Sequence, residues 1–307
     1  MPQRVTIREV GPRDGLQSER PLPVEVRARL ISALSRTGLP KVEAVSFVSP
    51  KKVPAMAGAA EVWRLVERNP GVRYSALVPN RKGAEAALEV GGFDYLSVFI
   101  AASDGYSLHN VGKPVAESLR DVGEAVALAL EAGLPVDAAV STSFGDPFEG
   151  DVPPEQVLDL VARLLDLGIS SVSLADTTGM ATPTRVWELV GRFRARFPGV
   201  PLNLHFHDTR GTAMANVLAA MQVGVDDFDA SIGGLGGSPF APGAGGNVAT
   251  EDLVHMLMDM GVETGVARLE ALLEVAAFLR EQVGHELRSQ VSRAGPRWWR
   301  AAGEGRS

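Results

Sequence analysis

Short apolar or β-branched runs alternate with longer amphipathic segments along almost the whole chain. The short runs have the length and composition of strands, and the amphipathic segments have the period of helices. The predicted strands are Val5–Val10, Val42–Phe47, Arg73–Val78, Tyr95–Ile100, Val136–Thr142, Ser171–Ala175, Leu202–His207 and Phe228–Ile232. The predicted helices are Val24–Arg36, Ala57–Arg68, Lys82–Glu89, Val115–Ala132, Pro154–Leu167, Pro183–Arg196, Thr212–Val223 and Thr250–Met260.

This alternation predicts parallel βαβ units and an α/β fold, a closed (β/α)8 TIM barrel. A doubly wound open sheet is the alternative, but no Gly-x-Gly-x-x-Gly follows the first predicted strand, so a dinucleotide-binding fold gains no support. One more amphipathic segment, Val266–Gly284, predicts a C-terminal helical extension. We therefore expect one catalytic domain over residues 1–290 and a flexible tail at 291–307.

The overall composition narrows the classes of function. The chain has 307 residues, a net charge of −7 and no cysteine. The negative charge disfavours a nucleic-acid partner. The lack of cysteine excludes disulfides, thiolate metal ligands and a thiol nucleophile. We find neither a signal peptide nor an apolar run of about 18 residues, so we expect no membrane partner and a cytoplasmic location.

Two histidines stand near the end of the seventh predicted strand, in the sequence Leu-His-Phe-His-Asp. Residues two apart in a strand point to the same side, so His205 and His207 should project together. Two imidazoles suit a divalent metal, and the carboxyl ends of the strands are where α/β barrels carry their active sites. The alternative is a core strand whose histidines are satisfied by neighbouring groups.

Five further residues lie at predicted strand ends, and each has a structural interpretation beside a functional one. Arg13 and Asp14 lie in a turn framed by glycine and proline, a place where ordinary surfaces also carry charged residues. Glu43 interrupts an apolar strand, so it either pairs with Arg13 or faces solvent. Asp176 ends the sixth strand and could equally cap the next helix. Asn247 closes a glycine-rich loop and could equally occupy a left-handed backbone position.

A mixed set of ligands results if these side chains meet. Asp14, His205, His207 and Asn247 would offer two oxygen and two nitrogen atoms and no sulfur. That mixture suits an octahedral Mg2+ or Mn2+, with Zn2+ as the main competitor. A metal that chelates two substrate oxygens would act as a Lewis acid for enolate chemistry.

Several stretches resemble the hydroxymethylglutaryl-CoA lyase family and occur in the family's order. They are Glu9–Gln17, Glu43–Lys51, His205–Asn216 and Asn247–Asp252, together with the glycine loop before Asn247. The resemblance implies a (β/α)8 barrel that binds Mg2+ or Mn2+ and cleaves 3-hydroxy-3-methylglutaryl-CoA to acetyl-CoA and acetoacetate in a retro-Claisen reaction. It also implies an acyl-CoA as the partner and a homo-oligomer, a dimer or larger.

The resemblance assigns roles to individual residues. Arg13 matches the arginine that holds the thioester oxygen and stabilises the enolate, and Gln17 is expected to bind substrate beside it. Glu43 matches the acid that orients Arg13, and Asp176 matches a carboxylate that assists proton transfer. The residues that match the metal ligands are Asp14, His205, His207 and Asn247.

The chain departs from the family at two positions. Ser238 stands where the family's glycine loop carries a catalytic cysteine, and a serine hydroxyl is a far weaker acid than a thiol. We assign Ser238 to the catalytic site as a hydrogen-bond donor or a holder of water. Asp146 stands where many relatives have a small uncharged residue or a cysteine, which bears on the substrate pocket.

These departures leave alternatives open. They are a lyase acting on a different 3-hydroxyacyl-CoA, a Claisen-type synthase, and a metal-binding paralogue without catalysis. A Schiff-base aldolase also uses this barrel, but it needs a lysine at a later strand end. No lysine follows Lys113, so that class is excluded.

Overall fold

The computed structural model describes residues 1–237 and 245–297, and its strands form one closed parallel barrel. The strands are β1 (Thr6–Glu9), β2 (Lys41–Ser46), β3 (Arg73–Leu77), β4 (Tyr95–Ala101), β5 (Val136–Ser141), β6 (Ser171–Asp176), β7 (Leu202–Phe206) and β8 (Asp227–Ala230). Each strand pairs in parallel with the next, and β8 pairs with β1 to close the barrel. The predicted (β/α)8 TIM barrel is confirmed, and the alternative prediction of a doubly wound open sheet is wrong.

Helices follow the strands and cover the barrel. They are α1 (Val24–Ser35), α2 (Ala59–Leu65), α3 (Arg81–Val90), α4 (Asp104–Asn110), α5 (Val115–Glu131), α6 (Pro154–Asp166), α7 (Pro183–Arg196), α8 (Ala213–Gln222), α9 (Thr250–Asp259), α10 (Leu269–Val283) and α11 (Gln290–Ala294). Their apolar residues, among them Leu164 and Phe193, are fully buried and join the strand residues in one core. Among the described helices, none is long and apolar enough to cross a bilayer.

Helix α4 is absent from the sequence-based prediction, and a distant carboxylate explains why it forms. The segment is short and polar, so it lacks the apolar period by which a helix is recognised. Asp146 is fully buried and accepts hydrogen bonds from the backbone amide of Tyr106 and from the hydroxyl of Ser103. The first turn of α4 is thus satisfied by a residue 40 positions away in sequence.

The predicted division after residue 290 falls inside α11. Asp252 on α9 accepts hydrogen bonds from the amides of Gln290 and Val291, at 2.8 Å each, and from the hydroxyl of Ser289. The first residues of the predicted tail are therefore helical and packed on α9. The division into a domain and a flexible tail stays a prediction for residues 298–307, which lie outside the described part of the chain.

Candidate metal centre

A cavity opens at the carboxyl-terminal end of the barrel, and six of the predicted site residues line it. They are Arg13, Asp14, Gln17, Glu43, His205 and His207. Residues from other strands and loops, among them Tyr106, Asn110 and Thr177, line it as well. In parallel barrels the strand ends converge at this face, so residues far apart in sequence reach one space.

The turn after β1 carries Arg13 and Asp14. The Val10 carbonyl accepts from the amides of Arg13, Asp14 and Gly15, which winds residues Gly11–Gly15 into a single turn of π-helix. A Cβ on Gly11 would lie 2.6 Å from a Glu9 carboxylate oxygen, so the turn needs glycine there. The two charged side chains are thereby fixed at the mouth of the barrel.

The guanidinium of Arg13 is held between two carboxylates. Its Nε donates to Glu43, and its Nη1 donates to Asp14 Oδ1 at 2.8 Å. Gln17 Nε2 also donates to Asp14 Oδ1, at 3.0 Å. Glu43 is almost fully buried and faces Arg13, so the predicted pairing is confirmed and a Glu43 facing solvent is wrong.

The two histidines present the same ring nitrogen to one point. His205 Nε2 and His207 Nε2 lie 3.0 Å apart, as expected for neighbours on one face of a strand. His205 Nδ1 donates to Asp229 at 3.0 Å, and His207 Nδ1 donates to the Gly245 carbonyl at 3.1 Å. Because both Nδ1 atoms face oxygen acceptors, both Nε2 atoms are available as ligands.

Asp14 and the histidines form a cluster that could hold a metal ion. Their ligand atoms lie within 4.8 Å of one another, and all three residues are buried. Two imidazole nitrogens that face each other with lone pairs repel unless a proton or a cation lies between them. This feature of the structure fits a divalent cation bound by nitrogen and oxygen atoms.

Asn247 reaches this cluster, but with its amide nitrogen. An isolated antiparallel bridge pairs Asn247 with His207 and so places the amide beside the site. Its Nδ2 donates to Asp14 Oδ2 at 2.7 Å and to the Leu235 carbonyl at 2.9 Å. Ligation through the Asn247 oxygen requires a change of side-chain orientation, and its role as a ligand stays a prediction.

Burial and neighbouring charges set the pKa of each member of this cluster. Burial and, after it, the neighbouring His205 lower the pKa of His207 to about 4. Burial would also lower the pKa of His205, but the hydrogen bond to Asp229 and the charges of Asp229 and Asp14 together outweigh it and raise that pKa. Burial would raise the pKa of Asp14, yet Arg13 and the histidines outweigh it and lower that pKa. Asp14 is therefore an anion at neutral pH.

Asp229 is a site residue that the sequence reasoning missed. It lies on β8 beside His205 in register, and it also pairs with Arg8 on β1. Burial would raise the pKa of Asp229, but the charge of Arg8 and the bond from His205 hold it well below its usual range. A charged residue inside a predicted strand was the signal for Glu43, and the same signal marks Asp229.

Asp176 lies outside this cluster of ligand atoms. Asp176 is buried beside the cavity, and its Oδ1 accepts from the amides of Met180 and Ala181 ahead of α7. Burial raises the pKa of Asp176 to about 6, against the effect of those bonds. Its proton-transfer role stays a prediction, as does that of Ser238, which lies outside the described residues.

The glycine-rich loop starts where two buried carboxylates hold its backbone. Glu9 accepts from the amides of Gly11 and Ile232 and from the hydroxyl of Thr250, while Glu251 accepts from the amide of Gly233. A Cβ on Gly246 would lie 1.8 Å from the Gly234 carbonyl oxygen. In the described parts of the loop, glycine therefore permits close approach of backbone to backbone.

The closed barrel and this cluster define a (β/α)8 barrel with a candidate metal centre at the carboxyl ends of its strands. A family model described as HMGL-like matches residues 4–279. The chain belongs to the HMGL-like family, and the resemblance inferred from the sequence motifs is confirmed.

Individual relatives support the same assignment. The hydroxymethylglutaryl-CoA lyase of Bacillus subtilis (strain 168) is 48% identical over 290 residues, which cover 94% of this chain and 96% of that protein. The crystal structure of the Bacillus subtilis HMG-CoA lyase matches with a TM-score of 0.91 and 47% identity, over 95% of this chain and 99% of that chain. An HMG-CoA lyase from Acinetobacter baumannii, solved in complex with coenzyme A and 3-methylmalate, matches with a TM-score of 0.92 and 41% identity, over 96% of each chain.

Proposed function

We propose that this protein is a carbon–carbon lyase that cleaves 3-hydroxy-3-methylglutaryl-CoA to acetyl-CoA and acetoacetate with Mg2+ or Mn2+ bound. Family membership and the similarity to hydroxymethylglutaryl-CoA lyases support the reaction. The observation that carries the proposal is the cluster of Asp14, His205 and His207 beside Arg13 in one cavity. The nitrogen and oxygen ligands favour Mg2+ or Mn2+, and Zn2+ is the less favoured competitor.

The residues of the chain divide the chemical tasks among them. Asp14, His205 and His207 would hold the cation, with Asn247 as a fourth ligand. When bound, the cation supplies a Lewis acid that stabilises negative charge on the substrate oxygens.

Arg13 provides a fixed positive charge in the cavity. Because Glu43 and Asp14 hold its guanidinium from two sides, the group need not reorganise during the reaction. We assign it to the thioester oxygen, which becomes negative as the carbon–carbon bond breaks and the enolate of acetyl-CoA forms. Gln17 is bonded to Asp14 and lines the same cavity, so we assign it to substrate binding.

Proton transfer is the other requirement of the reaction. The tertiary hydroxyl loses its proton, and the enolate carbon gains one. A carboxyl with a pKa of about 6, such as Asp176, exchanges protons readily near neutral pH, so we assign Asp176 to assist this transfer. Ser238 occupies the position of the family's cysteine, and we assign it a hydrogen bond or a held water in the same step.

A second candidate is cleavage of a different 3-hydroxyacyl-CoA. Ser238 and Asp146 are the departures that favour it, and a relative binds coenzyme A together with 3-methylmalate, a different hydroxy acid. A Claisen-type synthase and a metal-binding paralogue without catalysis are less favoured. We further propose a homo-oligomer in the cytoplasm, which light scattering and cell fractionation would test.

Turnover against a small panel of 3-hydroxyacyl-CoA thioesters tests the function. Metal-stripped protein is assayed with and without Mn2+, and acetoacetate is measured by a coupled reaction. We expect cation-dependent acetoacetate from 3-hydroxy-3-methylglutaryl-CoA, and none from the His207→Ala variant. Cleavage of another thioester alone would support the second candidate. Equal turnover in a metal-stripped His207→Ala variant would refute the metal site.

A further inference from the structure

Three neighbouring strands place three polar residues in one row inside the barrel. Asp229 on β8 is in register with His205 on β7 and with Arg8 on β1. All three are almost fully buried. Because β8 and β1 are joined only when the barrel closes, this row depends on closure and leaves no trace in any local sequence motif.

Arg8 donates two parallel hydrogen bonds to Asp229. Its Nε donates to Oδ1 and its Nη2 to Oδ2, each at 2.8 Å, so the plane of the carboxylate is fixed. The Oδ2 atom of Asp229 also accepts from His205 Nδ1 at 3.0 Å. The orientation of the imidazole therefore follows from a carboxylate that cannot rotate.

The third nitrogen of Arg8 reaches across the barrel. Its Nη1 donates to Asp137 on β5, which lies on the opposite side of the closed sheet. Each of the three nitrogens of Arg8 thus donates to a carboxylate oxygen, and the side chain also lines the cavity. Its link to the metal cluster passes through Asp229, which accepts two of these bonds and also accepts from His205.

We propose that Arg8 is a positioning residue for the metal centre, because it locks Asp229 and thereby holds the His205 ring with Nε2 aimed at the cation. The inference rests on the proposed function only in so far as a divalent cation binds at His205 and His207. Groups that orient a metal-bound histidine typically contribute about 10–100-fold to metal affinity.

Mn2+ binding to the purified full-length chain, measured by titration calorimetry, tests this role without using turnover. We expect Arg8→Leu to weaken Mn2+ binding by about 10–100-fold. Arg8→Lys should lose less Mn2+ affinity than Arg8→Leu, because an ammonium keeps the positive charge but cannot form the two parallel bonds. Asp137→Asn is the matched control, since it removes the other ion pair of Arg8 and keeps the two hydrogen bonds from Arg8 to Asp229. Its Mn2+ affinity should stay close to that of the wild type.

The fold of each variant is checked by near-UV circular dichroism, because Arg8→Leu leaves two buried carboxylates without their cation. If Arg8→Leu does not fold, the double variant Arg8→Leu/Asp137→Asn is measured in its place. The second substitution removes one of the two carboxylate charges that lost their ion pair. Wild-type Mn2+ affinity in a folded variant without Arg8 would overturn the inference. A loss of Mn2+ affinity in Asp137→Asn as large as that in Arg8→Leu would also overturn it. A wild-type chain that binds Mn2+ but forms no acetoacetate would instead refute the proposed function and leave the role of Arg8 standing.

Discussion

Glu9 offers a prediction whose size follows from the structure. It is fully buried at the end of β1, where it accepts hydrogen bonds from the amides of Gly11 and Ile232 and from the hydroxyl of Thr250. Burial raises the pKa of Glu9 to about 7 from its ordinary 4.5, because these bonds offset only part of the cost of burying the charge. We predict that Glu9→Gln removes a pH-dependent loss of stability.

The sign follows from the direction of the shift. In the unfolded chain Glu9 ionises near its ordinary pKa, whereas in the folded chain it stays protonated up to about pH 7. Ionisation between these values therefore lowers the free energy of the unfolded state relative to the folded state, and folding stability falls as the pH rises through this window. At about 1.36 kcal/mol per pKa unit, the full loss is roughly 3 kcal/mol. Between pH 5 and pH 8 most of it, roughly 2.5 kcal/mol, should be seen.

The assay compares urea unfolding at pH 5 and pH 8 in the presence of EDTA, so that metal binding does not contribute. The Gln side chain is uncharged and can keep the bonds from Gly11 and Ile232. The fall in unfolding free energy from pH 5 to pH 8 should therefore be smaller in Glu9→Gln than in the wild type by roughly 2.5 kcal/mol. Glu25→Gln, at an exposed position on α1, is the matched control and should keep the wild-type fall. An identical fall in Glu9→Gln and the wild type would refute the reasoning.

Further variants test the cavity. Arg13→Lys should lower kcat by about 100–1,000-fold, because one ammonium cannot replace the guanidinium held by two carboxylates; unchanged kcat would contradict the role. Glu43→Ala should lower the unfolding free energy by up to about 3–5 kcal/mol, since it removes one of the two buried carboxylates that pair with Arg13; a loss under about 1 kcal/mol would contradict the buried pair. Ser238→Cys should raise lyase turnover in the acetoacetate assay, because a thiol exchanges protons more readily; no gain would point to another substrate or proton route.

Much of the fold was predictable because its causes are local. The alternation of strand-like and helix-like segments is written along the chain, and it predicts the barrel. The same holds for His205 and His207, whose common direction follows from the geometry of one strand. The pairing of Arg13 with Glu43 needed one more step, since Arg13 follows β1 and Glu43 lies in the neighbouring strand β2.

The features that escaped prediction have distant causes. Helix α4 lacks an apolar period, and its first turn is satisfied by Asp146 from the loop after β5. Asp229 supports His205 only because β8 lies beside β7 in register.

Closure of the barrel is the step on which the site depends. The pair β8–β1 brings together Arg8 and Asp229, 221 positions apart, and Glu9 and Thr250, 241 positions apart. Asp14, which follows β1, and Asn247, which follows β8, also lie in hydrogen-bond contact at this closure. A single strand could supply the two histidines, but neither their carboxylate partner nor the fixed Asp229 behind them would be in place before β1 and β8 pair. The metal site is therefore a property of the closed barrel, and a local motif alone could not bind the cation in this geometry.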